Sequence, residues 1–359
     1  MLAKNIRRTL KIIITIVVIM STYLLLSTSS SSDSSENQKL SLNKNAIPIA
    51  VLGDSDSHSY RDEYDNKSRG GKYHSVTFNW PALWDRFRPQ EVNMGTYGTW
   101  GTHYRIAKVK HWLGLTGRAP KKLDYDYNYA VSGLRCESLL QGWPYQAKWL
   151  IKRLESEATH WNNGLVVIRI GVNDLGSTEQ LVTWGNTGLN KHAQKVVTTC
   201  ITQINEAIDQ ILSIHSSVKV AVMGMCRDCN ITDTYTVWPK ISQIENRNQV
   251  LSHFDKKLIN YASQHNRVLF IDDVKWLSKR YGDRHHEPIK FETKLANKVK
   301  IISRQGNHPS NLILADYHAG TVYNALWLNN LIDQLNTGFQ LHLSPLTEEE
   351  IYSAIKPML

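Results

Sequence analysis

Ser55 is the first residue in this sequence whose setting could support covalent catalysis. It lies in the segment GDSDS, directly after the apolar run Ala46–Leu52, and Gly53 allows the chain to turn sharply there. A serine hydroxyl is a weak nucleophile until a nearby base accepts its proton. A lone GDS segment is more typical of a helix cap, with Asp54 as a turn residue. Its interpretation therefore depends on what the rest of the chain supplies.

A carboxylate and an imidazole that could activate this serine lie near the end of the sequence. Asp316 and His318 stand two residues apart, immediately before the last amphipathic helical pattern. Residues two apart point the same way in an extended segment, and a carboxylate beside an imidazole fixes its tautomer and raises its basicity. The pair could therefore complete a Ser-His-Asp triad with Ser55. His308 is the alternative base.

Two further positions could stabilise negative charge on a substrate oxygen. Gly133 closes the strand-like run YNYAVS, where a glycine N–H can approach a ligand closely. Asn173 lies in the segment GVND, directly after a buried-strand pattern, and its side-chain amide could donate to an oxyanion. Taken singly, Gly133 is typical of a turn and Asn173 of an Asx-turn or helix cap.

The elements that must position these residues alternate along the chain. Short apolar runs predict buried strands over Ala46–Leu52, Leu165–Gly171, Val218–Gly224 and Val268–Asp272. Helical spacing of apolar residues predicts helices over Lys191–Ser213, Ile241–Gln264 and Thr321–Leu335, and a short C-terminal helix capped by Thr347. This alternation predicts βαβ units and a mostly parallel sheet covered on both faces, with ligands bound at the carboxyl ends of the strands.

The segment 56–124 interrupts this pattern and is rich in Tyr, Trp, Gly and His. We expect a helix-and-loop insertion after the first strand, not a second domain, which could overhang the site. Its residues Trp80, Trp84 and Trp100 are expected to pack in a core, with stacking on sugar rings as the alternative. His58, just after the candidate nucleophile, is expected on a helix face or at the rim of the site.

The order of these segments resembles that of the SGNH/GDSL hydrolase family. Serine in GDS comes first, then glycine, then asparagine in GVND, then Asp and His before a last helix, from Ala46 to the end of that helix. The resemblance implies an α/β fold, a three-layer α/β/α sandwich with a mostly parallel, flavodoxin-like sheet. It also implies esterase, lipase, thioesterase or carbohydrate deacetylase activity, with no metal and no organic cofactor.

The same resemblance implies a role for each candidate residue. Ser55 would attack the ester carbonyl, and His318 would take its proton and later pass it to the leaving alcohol. Asp316 would orient His318. The oxyanion hole would consist of the backbone N–H groups of Ser55 and Gly133 and the side-chain amide of Asn173.

The sequence departs from the family pattern at two places. The residue after GDS is often Leu in the family, whereas Asp56 places a charge near the site here. The family usually has Asp-x-x-His, often followed by Pro; His308 is followed by proline but has Gln305 at the Asp position. An amide cannot supply the charge that stabilises an imidazolium. We therefore expect Asp316 and His318 to serve, and not His308.

The N-terminal residues are typical of a targeting segment. Four basic residues precede an apolar run over Ile12–Leu26, which lies between the length of a cleavable signal peptide and that of a spanning helix. We expect residues 1–32 to hold a signal peptide or membrane anchor and the Ser-rich start of a linker. Residues 33–45 are expected to be a flexible linker and 46–359 the hydrolase domain. Either alternative exports this domain to the periplasm, the extracellular space or the outer face of a membrane.

The formal net charge is +10. Without the four basic residues of the targeting segment, 38 basic residues stand against 32 acidic ones, and this modest surplus could help an anionic glycan or a membrane surface to approach. There is no basic stripe with interleaved aromatic residues, so no nucleic-acid partner is expected.

Four cysteines are present, Cys136, Cys200, Cys226 and Cys229, and export would permit disulfides. The segment MCRDC is expected to hold a structural bridge or free thiols, because a zinc site would need a second paired cluster. The segment DRHHE at 283–287 is expected to be a solvated loop and not a metal site.

Together these features predict an exported serine ester hydrolase acting on a small-molecule or glycan ester. O-acetyl groups of a glycan are the first candidate substrate, because aromatic residues are expected near the site of an exported protein. The alternatives are a catalytically silent glycan-binding protein on the same fold and an O-acyltransferase that passes the acyl group to a sugar.

Overall fold

A computed structural model of the chain describes residues 46–113, 117–225, 240–274, 276 and 292–359. Within the chain, Asn45–Leu359 forms one compact unit. The predictions for the N-terminal segment 1–45, for Cys226 and Cys229, and for the segment 283–287 lie outside the described residues.

The strands and helices alternate along the chain, as the apolar patterns predict. The strands are β1 (Ile47–Gly53), β2 (Val92–Asn93), β3 (Tyr97–Trp100), β4 (Lys122–Tyr125), β5 (Leu165–Arg169), β6 (Lys219–Met223), β7 (Val268–Ile271), β8 (Glu292–Leu295), β9 (Val299–Gln305) and β10 (Asn311–Ile313). The helices are α1 (Trp80–Phe87), α2 (Tyr104–Trp112), α3 (Gln146–Ser156), α4 (Val172–Leu175), α5 (Thr178–Thr187), α6 (Lys191–Ile214), α7 (Ile241–Ala262), α8 (Thr321–Phe339) and α9 (Glu348–Ile355).

The central sheet has five parallel strands in the order β2-β1-β5-β6-β7. The four apolar runs that predicted strands form β1, β5, β6 and β7, and they pair in chain order. Alternate residues of each strand face opposite cores. In β1, Ile49 and Val51 belong to the core that includes residues of α1, α8 and α9, whereas Ala50 and Leu52 belong to the core that includes residues of α3, α5, α6 and α7. Helices therefore cover both faces, and the predicted three-layer α/β/α sandwich is confirmed.

The segment 56–124 is built into the main fold. It supplies the edge strand β2 and the antiparallel hairpin β3–β4, so the prediction of helices and loops alone is wrong. Trp80 and Trp84 are fully buried, and the Trp80 ring lies 5.3 Å from that of Trp327 on α8. These two side chains belong to the core and cannot stack on a sugar. Trp100 is partly exposed, so both interpretations remain open for it.

A small second sheet, which the sequence patterns did not predict, precedes α8. Strand β9 pairs antiparallel with β8 and parallel with β10. The turn after β10 carries Asp316 and His318, so this sheet positions the candidate base.

In the described part of the chain, no helix is long and apolar enough to cross a membrane.

A disulfide joins Cys136 to Cys200 on α6. The sequence had left the pairing of the cysteines open. The carboxylate of Asp174 lies close to both sulfurs. Among the described residues, Asp174 and the two cysteines form the one cluster of possible metal ligands that is compact enough to hold an ion. The disulfide occupies both sulfurs. Asp174 accepts instead from the backbone N–H of Cys136 over 2.9 Å.

Candidate active site

The turn that carries Ser55 begins where β1 ends. A Cβ on Gly53 would lie only 2.4 Å from the carbonyl oxygen of Arg169 on the neighbouring strand, so only glycine fits. The chain then closes a helical turn, because the N–H of His58 donates to the carbonyl of Asp54 over 3.0 Å. Ser55 is 8% exposed, and its hydroxyl forms no hydrogen bond with any described residue. The hydroxyl is therefore free to approach a ligand.

Gly133 is brought to the same edge of the sheet by a segment that runs beside β1. The N–H of Val51 donates to Tyr127 over 3.0 Å, and the N–H of Val131 donates to the carbonyl of Gly53 over 3.2 Å. The chain therefore reaches Gly133 just beyond the end of β1. Gly133 has φ of 78° and open space where a Cβ would be.

Asn173 lies at the end of the strand paired with β1. Gly171 follows β5 with φ of 118°, and Asn173 is the second residue of the short helix α4. Its Nδ2 donates to the carbonyl of Leu134 over 2.8 Å, next to Gly133. A primary amide has two N–H groups, so one donor remains for a ligand. The roles of Gly133 and Asn173 in an oxyanion hole stay predictions.

Asp316 and His318 lie in a tight turn after β10. The N–H of Leu314 donates to the carbonyl of His318 over 2.7 Å, and Tyr317 takes φ of 68° to close the turn. The Nδ1 atom of His318 lies 3.1 Å from the carbonyl oxygen of Asp316 and 3.2 Å from its carboxylate oxygen Oδ1. The predicted pairing of this carboxylate with this imidazole is therefore present in the structure.

Arg69 joins the three candidate triad residues. Its Nη1 donates to the carbonyl of Ser55 over 3.0 Å, and its Nε donates to Oδ2 of Asp316 over 3.2 Å. Its Nη2 lies 3.2 Å from Nε2 of His318. Because a guanidinium can only donate, Nε2 must be the acceptor and the imidazole proton must lie on Nδ1. This is the tautomer that a general base needs when it takes a proton at Nε2.

The carboxylate of Asp316 is held in its charged form. Partial burial alone would raise the pKa of Asp316, but the hydrogen bond from His318 and the charge of Arg69 outweigh it. The pKa of this carboxyl group is therefore well below its usual range. Sequence patterns gave no reason to select Arg69, which lies in the polar segment NKSRGG.

His308, the alternative base, faces its own loop. Its Nδ1 lies 2.7 Å from Oγ of Ser310 and accepts from the backbone N–H of Ser310 over 3.2 Å. Gln305 donates through Nε2 to the carbonyl of Ala315 over 2.7 Å. Gln305 therefore supports the turn that carries Asp316 and does not orient His308.

The charge of Asp56, where the family often has Leu, is balanced within the site. Its carboxylate lies 3.4 Å from Nη2 of Arg169, whose guanidinium stacks on Trp327 at 4.2 Å. Asp54 is fully buried, and burial together with the nearby Asp56 carboxylate raises the pKa of Asp54 to about 8. Burial likewise raises the pKa of Asp273, next to Arg169, to about 7. The floor of the site thus adds little net charge.

His58 is fully buried, so the prediction that it lies on a helix face or at the rim is wrong. Its Nδ1 accepts from the backbone N–H of Ser132 over 3.2 Å and lies 3.0 Å from Oγ of Ser132. Its Nε2 lies 3.1 Å from Oδ2 of Asp62. Burial lowers the pKa of His58 although Asp62 opposes this. A neutral His58 therefore fixes the residue that precedes Gly133.

Comparison with known proteins identifies a sequence family. The sequence model of the GDSL-like lipase/acylhydrolase family matches residues 49–310, a stretch that ends between His308 and Asp316. Among curated proteins, the comparison finds no relative of this chain.

Several solved structures resemble the chain weakly. An extracellular lipase from Streptomyces rimosus is 19% identical, with a TM-score of 0.39 over 65% of this chain and 82% of its own. A family 3 carbohydrate esterase from Clostridium thermocellum is 17% identical, with a TM-score of 0.33 over 81% and 96%. A phospholipase A1 from Streptomyces albidoflavus is 15% identical, with a TM-score of 0.42 over 82% and 99%. Similarities this low say nothing about the substrate.

Proposed function

The chain belongs to the GDSL-like lipase/acylhydrolase family, whose members are serine ester hydrolases, and we propose that its catalytic triad is Ser55, His318 and Asp316. The observation that supports this most is the single guanidinium of Arg69, which contacts the carbonyl of Ser55, the carboxylate of Asp316 and Nε2 of His318. This contact brings together residues that are more than 240 positions apart in the sequence.

In the proposed reaction, Ser55 Oγ attacks the ester carbonyl while His318 Nε2 takes its proton. The tetrahedral oxyanion accepts hydrogen bonds from the N–H groups of Ser55 and Gly133 and from Asn173. The imidazolium then gives its proton to the leaving alcohol, which leaves an acyl ester on Ser55. Water attacks this ester, His318 takes the proton of the water, and the free acid leaves as the proton returns to Ser55.

The proposed substrate is a glycan ester, with O-acetyl groups as the first candidate, met outside the cytoplasm. Export is supported by the basic and apolar start of the sequence. A glycan chain that extends beyond the site is supported by Trp100, which lines with Arg118 and Trp149 a separate cleft of about 370 Å³ that contains no triad residue. An indole of this kind can stack on a sugar ring.

The test of this function is the loss of esterase activity when Ser55 is replaced. We expect the wild-type protein to hydrolyse p-nitrophenyl acetate and Ser55→Ala to lose at least about 10³-fold in kcat. Ser68→Ala, at an exposed serine in the same segment, is the matched control and should keep wild-type activity. A fluorophosphonate should modify Ser55 and no other serine. Activity retained in Ser55→Ala would exclude Ser55 as the nucleophile.

A further inference from the structure

Arg69 contacts Nε2 of His318, the atom to which the Ser55 hydroxyl must donate in the proposed reaction. Its side chain is only 7% exposed, and its guanidinium lies over the ring of Tyr60 at 4.8 Å. Nε and Nη1 are bound to Asp316 and Ser55, and Nη2 is bound to His318. Arg69 thus contacts both the backbone of the candidate nucleophile and the imidazole of its candidate base.

The contact between Nη2 and His318 cannot persist during the reaction. A neutral imidazole has one lone pair, at Nε2 in this tautomer, and Arg69 now uses it. Ser55 Oγ must donate to this same atom before it can attack. Arg69 Nη2 must therefore leave His318 when a productive complex forms.

The released donor then needs a new acceptor. The bonds of Nε to Asp316 and of Nη1 to Ser55 can remain, so the guanidinium shifts slightly and stays in the site. A buried donor without a partner is costly, and more so when it is charged. The side chains of His318 and Asp316 are 22% and 39% exposed, so water reaches this edge of the site until a substrate displaces it. An oxygen of the bound substrate is then the acceptor that Nη2 needs.

The charge of that acceptor follows from the charges around it. When His318 takes the proton, two cations stand side by side, and Asp316 is the carboxylate that contacts both. The other nearby acid, Asp56, is already paired with Arg169. The counter-charge of that proton forms on the oxyanion, which the proposed oxyanion hole binds. A separate carboxylate on the substrate would suit Nη2 of Arg69, because a hydrogen bond between two charged groups is stronger than one to a neutral oxygen.

We propose that Arg69 is a specificity residue that selects esters carrying a carboxylate close to the scissile bond, as in O-acylated uronic acids. The substrate carboxylate takes over Nη2 of Arg69, and this exchange frees Nε2 of His318 for Ser55. This inference rests on the proposed function, since it requires Ser55 and His318 to react.

The decisive experiment compares two forms of one polymer. Acetate release is measured from O-acetylated polygalacturonate and from the same material after its carboxylates are converted to methyl esters. We expect wild-type kcat/KM to be about 10–100-fold higher for the charged form, as for one charge-assisted hydrogen bond. Arg69→Gln should bring this ratio near one, and Arg69→Lys should retain part of it. Arg86→Gln, which removes an exposed arginine, should keep the wild-type ratio.

The outcomes separate this inference from the function beneath it. Equal wild-type rates on both polymers, or a full preference in Arg69→Gln, would overturn the role of Arg69 and leave the esterase standing. No acetate from either polymer, together with no hydrolysis of p-nitrophenyl acetate, would overturn both. If Arg69→Gln does not fold, wild-type hydrolysis of p-nitrophenyl acetate is measured with free galacturonate or galactose added. Inhibition by galacturonate alone supports the proposal, and equal inhibition by both overturns it.

Discussion

The Nδ1 atom of His318 lies 3.1 Å from the backbone carbonyl oxygen of Asp316, and the carboxylate of the same residue lies 3.2 Å away. One residue therefore offers the imidazole two acceptors. The backbone oxygen can hold the tautomer even without the carboxylate, whereas only the carboxylate can stabilise the charge of the imidazolium. This division of roles determines what replacement of each group should do.

Replacement of the three candidate acid–base residues should give graded losses. We expect His318→Ala to approach the inactivity of Ser55→Ala, because His318 is the proposed general base. Asp316→Asn should lower kcat about 10²-fold. Replacing the orienting aspartate of a Ser-His-Asp triad by asparagine can lower kcat about 10⁴-fold, but here the backbone carbonyl of Asp316 still accepts from the imidazole. His308→Ala should keep most activity, because that side chain bonds to Ser310. Steady-state kinetics on p-nitrophenyl acetate measures all three. An inactive His308→Ala with an active His318→Ala would reverse the assignment.

Removal of the Asn173 amide should affect the chemical step more than binding. We expect Asn173→Ala to lower kcat by roughly 10²–10³-fold with a smaller change in KM, because the lost donor acts on the oxyanion. Circular dichroism and a urea midpoint near that of the wild type would show that the fold is kept. A change in KM alone would make Asn173 a turn residue that merely holds the carbonyl of Leu134.

His58 should make stability depend on pH between about 7.5 and 5.5. Its pKa is lowered by burial in the folded state, so the unfolded chain, with an ordinary pKa near 6.5, takes up its proton first. The stabilising contribution is therefore present above about pH 6.5 and is lost as the pH falls. The neighbouring Asp62 has a lowered pKa and titrates in a more acidic range.

The test for His58 is urea unfolding of the wild type and of His58→Asn at about pH 7.5 and about pH 5.5. Asparagine keeps an acceptor for the N–H of Ser132 but does not titrate. The wild type should lose more free energy of unfolding on acidification than the variant does. Identical losses would show that another group governs this range.

The disulfide should contribute strongly to stability. Cys136 and Cys200 are 64 residues apart, and closing a loop of this length removes about 4 kcal/mol of unfolded-state entropy in the simple chain model. We expect the double variant Cys136→Ser, Cys200→Ser to unfold at lower urea than the oxidised wild type, and dithiothreitol to lower the wild-type midpoint in the same way. Equal midpoints for the wild type and the variant would show that the cross-link adds nothing.

The sequence by itself determined the central sheet and the position of its chemistry. Strands β1, β5, β6 and β7 could be predicted because a parallel strand buried on both faces needs a continuous apolar run, and such runs are short and easily recognised. Ser55 and Asn173 directly follow two of these strands. The rule that ligands bind at the carboxyl ends of parallel strands therefore predicts both residues at one edge of the sheet.

Only the tertiary structure decided how the remaining residues meet. Arg69 and Asp316 are 247 positions apart, and no periodicity or motif encodes a contact between them. The short strands β8–β10 carry mixed polar residues and gain their order from each other and from α8. His58 became a buried hydrogen-bond acceptor because the segment that reaches Gly133 packs over it. Local patterns report how a residue suits its own helix or strand, whereas these contacts depend on which distant segment folds against it.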